Sequence, residues 1–190
     1  VNLKALETGG PYQLQIIGKE NPISIKDILI GDVWLCSGQS NMQWVVNNVT
    51  NAEVEKKNAN YPQIRTLNIP RRMELSPKDT ISATWLVCSP ENVGRFSGVA
   101  YFFAKKVYEE TNIPIGIINS SWGGTIVETW TSLEAANTLP QKRLDRYNKN
   151  EKLFPPTEYL TRKNKEAKRN DYPSLVYNAC LLYTSPSPRD

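Results

Sequence analysis

The residue best placed for covalent chemistry lies in the string Gly38-Gln39-Ser40-Asn41-Met42. It follows Asp32-Val33-Trp34-Leu35-Cys36, a nearly continuous apolar run of the kind a buried parallel strand shows. A serine beside glycine, where a strand gives way to a helix, turns its Oγ outward, and the first N–H groups of that helix lack partners. Those donors, aided by the helix dipole, can hold the negative oxygen of an acyl-transfer intermediate. The same placement also suits a helix N-cap. Because the string departs from the Gly-x-Ser-x-Gly elbow, spacing alone favours the cap. Histidine is absent from all 190 residues, so any mechanism that needs an imidazole base or ligand is incomplete within them.

The elements that must position this serine read as α/β. Tyr12–Ile17 alternates partly after the turn-forming Gly9-Gly10-Pro11, and Ile23–Ile30 alternates more clearly, so both are expected as strands. After Asp32–Cys36 come Ile64–Ile69 and Ile115–Asn119, two further expected strands, the latter of the buried type. Ser97–Glu110 is the strongest helix, with Ser97 as its cap. Its expected apolar face carries Val99, Phe102, Phe103 and Val107, with Ala100 and Tyr101 beside them, and Lys105, Lys106, Glu109 and Glu110 toward water. Ile115–Asn119 runs into Ser120-Ser121-Trp122-Gly123-Gly124-Thr125, a second small-residue turn, and then a helix around Leu133. Strand–turn–helix units of this order predict a parallel sheet flanked by helices, with ligands at the carboxyl ends of the strands, where both turns fall.

Composition narrows the function classes. With 39% hydrophobic and 22% charged residues the chain has a globular balance. No apolar run approaches the ~20 residues that span a bilayer, which argues against membrane partners. Val1–Gly10 has no starting Met and no secretory-signal pattern, so the natural beginning is expected to lie upstream. The formal charge of +4 is local: Gln141–Asn170 holds ten Lys/Arg against four acids. Only Tyr147, Phe154 and Tyr159 are interspersed there, and no recognition motif accompanies them, so the stretch reads as a solvated basic surface on exposed helices rather than a nucleic-acid site. Three cysteines are too few for a disulfide scaffold or a four-cysteine zinc centre, and Cys36 and Cys88 read as buried small residues. No metal or organic cofactor is called for.

The wider string Gly31-Asp32-Val33-Trp34-Leu35-Cys36-Ser37-Gly38-Gln39-Ser40-Asn41-Met42 resembles the nucleophile block of the sialate O-acetylesterase family, SGNH-like carbohydrate esterases. Three more stretches resemble that family in the same order: Phe96–Ala104, Gly116–Thr125 and Pro173–Ala179. The resemblance implies a partial SGNH/flavodoxin-like sheet over residues 31–180, the N-terminal half of a catalytic domain. Residues 1–30 would end an upstream β-rich domain. Residues 181–190 resemble a translated vector or adapter read and are set apart as non-native.

Carried over position by position, the resemblance makes Ser40 the nucleophile that attacks an acetyl carbonyl. Backbone amides of Ser40, Gly123 and Gly124 then form the oxyanion hole. Gln39, Asn41, Trp122 and Glu128 become candidate substrate contacts, and Trp122 and Trp130 offer faces for a pyranose ring, although Trp is also a common core residue. The implied partner is an O-acetylated sugar or glycan, and the implied compartment is periplasmic, secreted or lysosomal-type. The family's Gln-Gly-Glu-Ser block and its Asp-x-x-His acid–base block are not present here, so the 190 residues are expected to be inactive by themselves. A non-catalytic carbohydrate-binding fragment is the alternative. A sheet cut before its remaining strands would expose an apolar edge, which predicts a marginal or aggregation-prone isolated chain.

Overall fold

The computed structural model describes residues 6–19, 21–138 and 172–181. The basic stretch Gln141–Asn170 and the tail 182–190 lie outside the described residues. The chain divides into two compact units. The first takes in residues up to Trp34, Trp44–Leu67 and Trp85–Ile118; the second takes in Leu35–Gln43, Asn68–Thr84 and the described residues from Asn119 on.

In the first unit β1 (Gly9–Ile16) and β2 (Ile23–Ile30) form an antiparallel two-stranded sheet. A four-stranded sheet runs in the order β3 (Asp32–Gly38), β6 (Ile115–Ser121), β4 (Tyr61–Asn68), β5 (Trp85–Cys88). Asp32 N–H donates to Pro114 O at 2.9 Å where β3 and β6 begin, and Trp122 N–H donates to Gly38 O at 3.0 Å where they end. Start meets start and end meets end, so these two strands are parallel. β5, which the sequence reading missed, runs antiparallel to β4 and makes the sheet mixed. At four residues it is too short for an alternation to register.

Helix α3 (Gly98–Thr111) begins as expected, with Ser97 Oγ accepting from Ala100 N–H at 3.3 Å, and Asn112 closes it in the left-handed conformation at φ 55°. Its buried face is only partly the expected one. Gly98, Ala100, Tyr101 and Ala104 are buried, whereas Val99, Phe102 and Phe103 are exposed. The reason is close approach at the N-terminus. Gly98 N–H donates to Trp44 O at 2.7 Å, and a Cβ on Gly98 would lie 2.9 Å from Val49 Cγ1. Gly98, Ala100 and Ala104 therefore face inward together with the large ring of Tyr101, while Val99, Phe102 and Phe103 are turned away. Lys105 is also half-buried rather than solvated, because it reaches Glu55 on α2 (Ala52–Asn58) at 3.1 Å. Tyr101, with no exposed surface, donates its hydroxyl to the same carboxylate at 3.2 Å.

β3 was expected to be buried on both faces. Only Cys36 is; Val33 and Trp34 are 62% and 44% exposed. β3 forms one edge of the sheet among the described residues, so it has a neighbouring strand on one side only. Trp34 meets Phe103 edge-to-face at 5.0 Å, two large apolar groups that both remain partly open to water.

In the second unit the carboxyl ends of β3 and β6 carry the two small-residue turns. Ile69 N–H donates to Asn119 O at 2.9 Å, so the ends of β4 and β6 are joined there. A 3-10 turn (Val127–Trp130) and the short α4 (Leu133–Ala136) follow. Residues 172–181 pack back through Ser174 N–H to Glu128 O at 3.1 Å and bury Leu175, Val176 and Ala179.

Candidate active site

Ser40 is the first residue of α1 (Ser40–Gln43), a single turn that leads to a 3-10 segment at Val46–Asn48. Gln43 N–H donates to Gln39 O at 2.9 Å, which makes Gln39, not Ser40, the residue at the cap position. The structure thus removes the bland explanation of Ser40 as a helix cap, and its side chain is exposed. The expected helix is shorter than the sequence suggested, so an extended macrodipole is not part of the site. The local donors are the backbone amides of the turns themselves.

The second turn lies against the first. A Cβ on Gly123 would stand 3.1 Å from Ser40 Oγ, 3.4 Å from Ser40 Cα and 3.1 Å from Gln43 Oε1. Only a residue without a side chain permits that approach without displacing its neighbours. Gly124 has φ 77°, a left-handed conformation that also favours glycine. Trp122 N–H donates to Gly38 O at 3.0 Å, the side-chain amide of Gln39 donates to Thr125 O, and Gly123 N–H donates to Gln43 Oε1 at 2.6 Å. Thr125, fully buried, is itself fixed by donating to Trp122 O at 2.7 Å and accepting from Trp130 Nε1–H at 2.7 Å.

The structure therefore brings together Gln39, Ser40, Trp122 and Gly123, with Gly124 next in the chain. Trp122 is half-buried and Asn41 exposed. Trp130 directs its one polar atom to Thr125, a bracing role that the sequence reading had not separated from sugar stacking. Glu128 is half-buried, and its carbonyl holds the 172–181 segment through Ser174. Gln43 and Thr125 were not singled out from sequence. Gln43 was findable: three residues after Ser40, it falls on the same face of one helical turn.

The side chains that meet at the two turns, Gln39, Ser40, Gln43, Trp122 and Thr125, are neutral. The described cysteines do not compete as nucleophiles. Burial raises the pKa of Cys36 and Cys180, and raises Cys88 to about 11, so each thiol stays protonated near neutrality. Among the described residues no group of His, Cys, Asp or Glu could hold a metal, and no helix is long and apolar enough to cross a membrane. A cavity of about 160 Å³ lies elsewhere in the second unit, among Arg72, Glu74, Lys78 and Ala179.

Residues 30–154 match the family described as carbohydrate esterase, sialic acid-specific acetylesterase. The chain belongs to that family. Human sialate O-acetylesterase is 39% identical over 145 residues, which cover 70% of this chain and 28% of that protein. The rat sialate O-acetylesterase is 31% identical over 202 residues, covering 98% of this chain and 36% of the relative. A crystal structure of a carbohydrate acetylesterase from Xanthomonas citri superposes with a TM-score of 0.76 at 30% identity, over 95% of this chain and 35% of that one. This member of the acetylesterase family thus spans about a third of its relatives' length, and its mixed α/β fold agrees with that of the bacterial enzyme.

Proposed function

We propose that this chain carries the nucleophile half of a carbohydrate O-acetylesterase, with Ser40 as the attacking residue. The single observation that carries this is the contact between Gly123 and an exposed Ser40 Oγ, at 3.1 Å from the glycine's Cβ position. A serine hydroxyl is otherwise a weak nucleophile, and a close, side-chain-free turn lets backbone amides reach the oxygen of its adduct.

The reaction follows from that arrangement. Ser40 Oγ bonds to the acetyl carbonyl carbon as its proton passes to a general base, and the carbonyl π electrons move onto oxygen. Amides of Ser40 and of the Gly123-Gly124 turn stabilise the resulting oxyanion. The carbon–oxygen bond to the sugar breaks, the base returns its proton to the departing hydroxyl, and acetyl-Ser40 remains. Water, deprotonated by the same base, then bonds to the acetyl carbonyl carbon; the carbon–Oγ bond breaks as the base returns the proton to Ser40 Oγ, and acetate leaves. With no histidine in the 190 residues, the imidazole base that the family resemblance implies comes from the rest of the protein. Trp122 and Glu128 are the proposed sugar contacts, and an O-acetylated sugar the proposed substrate, in a periplasmic, secreted or lysosomal-type compartment.

The test is acetate release by the full-length protein containing this chain, from O-acetylated sialic acid and from a generic acetyl ester. Turnover of both, abolished by Ser40→Ala, is expected. Absence of acetate release, or activity untouched by that substitution, overturns the proposal.

A further inference from the structure

The feature left unexplained at the site is the side chain of Gln43. The N–H of Gly123 is one of the donors that the proposed mechanism needs, yet it already has a partner: Gln43 Oε1, at 2.6 Å. That is shorter than the usual amide bond of about 2.9–3.0 Å, so the bond is direct and not shared loosely. A backbone N–H can only donate, which fixes the amide's orientation with its oxygen toward Gly123.

We propose that Gln43 is a placeholder for the oxyanion: its carbonyl oxygen occupies the Gly123 N–H in the resting site and is displaced when an ester docks on Ser40. The inference rests on the Ser40–Gly123 reading above and adds a determinant of substrate affinity to it. Three observations support it. The Cβ position of Gly123 is 3.1 Å from both Gln43 Oε1 and Ser40 Oγ, so the acceptor oxygen and the proposed nucleophile both lie beside one glycine. This bond is not the turn's sole support. Trp122 N–H to Gly38 O, the Gln39 amide to Thr125 O, and the Thr125–Trp122 and Trp130–Thr125 bonds already hold it. Finally, Gln43 is only half-buried, and its flexible side chain has solvent to swing into. An acceptor that is one support among several and sits on a donor needed for chemistry is an exchangeable one.

Gln43 acts through Gly123 and is a positioning residue, so its effect is read in the division between KM and kcat. In the full-length protein, Gln43→Met keeps the length and removes the acceptor. KM for an acetyl ester is expected to fall roughly two- to tenfold, the worth of one neutral hydrogen bond, with kcat changing less. Gln43→Glu keeps the bond but makes the competitor an anion that also repels the oxyanion. At pH 8 its kcat/KM is expected to fall about tenfold or more, as a charged acceptor is roughly twice as strong. Its ratio to the unsubstituted protein, taken at each pH, should rise as the pH drops through the carboxylate range. A Gln43→Met variant that loses kcat at constant KM would show a structural clamp and overturn the inference. So would a Gln43→Glu ratio that is flat with pH, which decides the matter even if the Met variant fails to fold. Retained activity in Ser40→Ala overturns the underlying reading, and this inference with it. Loss in Ser40→Ala combined with either contrary Gln43 result overturns the placeholder only.

Discussion

The turn pair around Ser40 and the α2–α3 contact of the first unit use polar groups in opposite ways. At the turns, side chains and backbone amides meet as neutral dipoles, and the Ser40 residue is left open to water. At the helix contact, Glu55, Lys105 and the buried Tyr101 satisfy one another, and Lys105 also lies 5.8 Å above the rings of Tyr61 and Tyr101. Burial alone would lower the Lys105 pKa, but the hydrogen bond to Glu55 and the nearby Tyr61, Glu55 and Glu109 outweigh it, and the net shift is upward. The lesson is that closed polar networks hold a fold together, whereas a site keeps some of its hydrogen-bonding capacity available for exchange.

That contrast separates into effects on activity and effects on stability. The largest expected effect is that of Ser40→Ala in the full-length protein: a loss of roughly three orders of magnitude or more in kcat, with Tm essentially unchanged. A matched fall in Tm would mean that Ser40 belongs to the structural class. Next is Gly123→Ala, whose methyl must share space with Ser40 Oγ and Gln43. We expect kcat/KM to fall about a hundredfold, the scale of one misplaced oxyanion donor, while the protein still folds because the flexible end of Gln43 can yield. Steady-state kinetics beside a thermal melt distinguish the two.

In the first unit the order reverses. Tyr101→Phe removes the hydroxyl that donates to Glu55 and should cost about 1 kcal/mol in denaturant unfolding, with kcat/KM unaltered. An equal loss of activity would erase the distinction drawn here. The smallest effect is the alkaline limit of stability. Cys88 has its pKa raised from 9.0 to about 11 by burial, and Tyr101 is shifted upward by burial and by Glu55. The fold favours the protonated thiol and phenol: the thiol's contribution is complete below pH 9 and is lost as pH rises toward 11, while the phenol's is lost only at higher pH. Tm measured from pH 8 to 11 should decline across that interval, and less steeply in Cys88→Ala. A flat profile would contradict the assignment.

Much of this architecture was legible in the residue string, for specific reasons. The strand Ile23–Ile30 and the helix after Ser97 carry strong periodicity and a cap, and both lie where their patterns put them. The helix face was misjudged in part: Ala100 and Tyr101, at the margin of the expected stripe, are buried, and the close approach of Gly98 to Val49 and Trp44 turns that side inward in place of Val99, Phe102 and Phe103. Trp34 was expected inside. An apolar run does not say whether a neighbouring strand is there to cover it, and β3 is an edge among the described residues. At the site, the string around Ser40 and the Gly123-Gly124 turn were visible as separate motifs. Their contact, and the Gln43 bond across it, depends on the parallel pairing of β3 with β6, which no local pattern encodes.

The central claim is that Ser40 Oγ is the atom that takes the acyl group. The direct measurement is to treat the full-length protein with a serine-directed fluorophosphonate and map the modified peptide by mass spectrometry. The account predicts one stoichiometric adduct on Ser40, absent from Ser40→Ala. An adduct on a different serine, with hydrolysis lost in parallel, would contradict it.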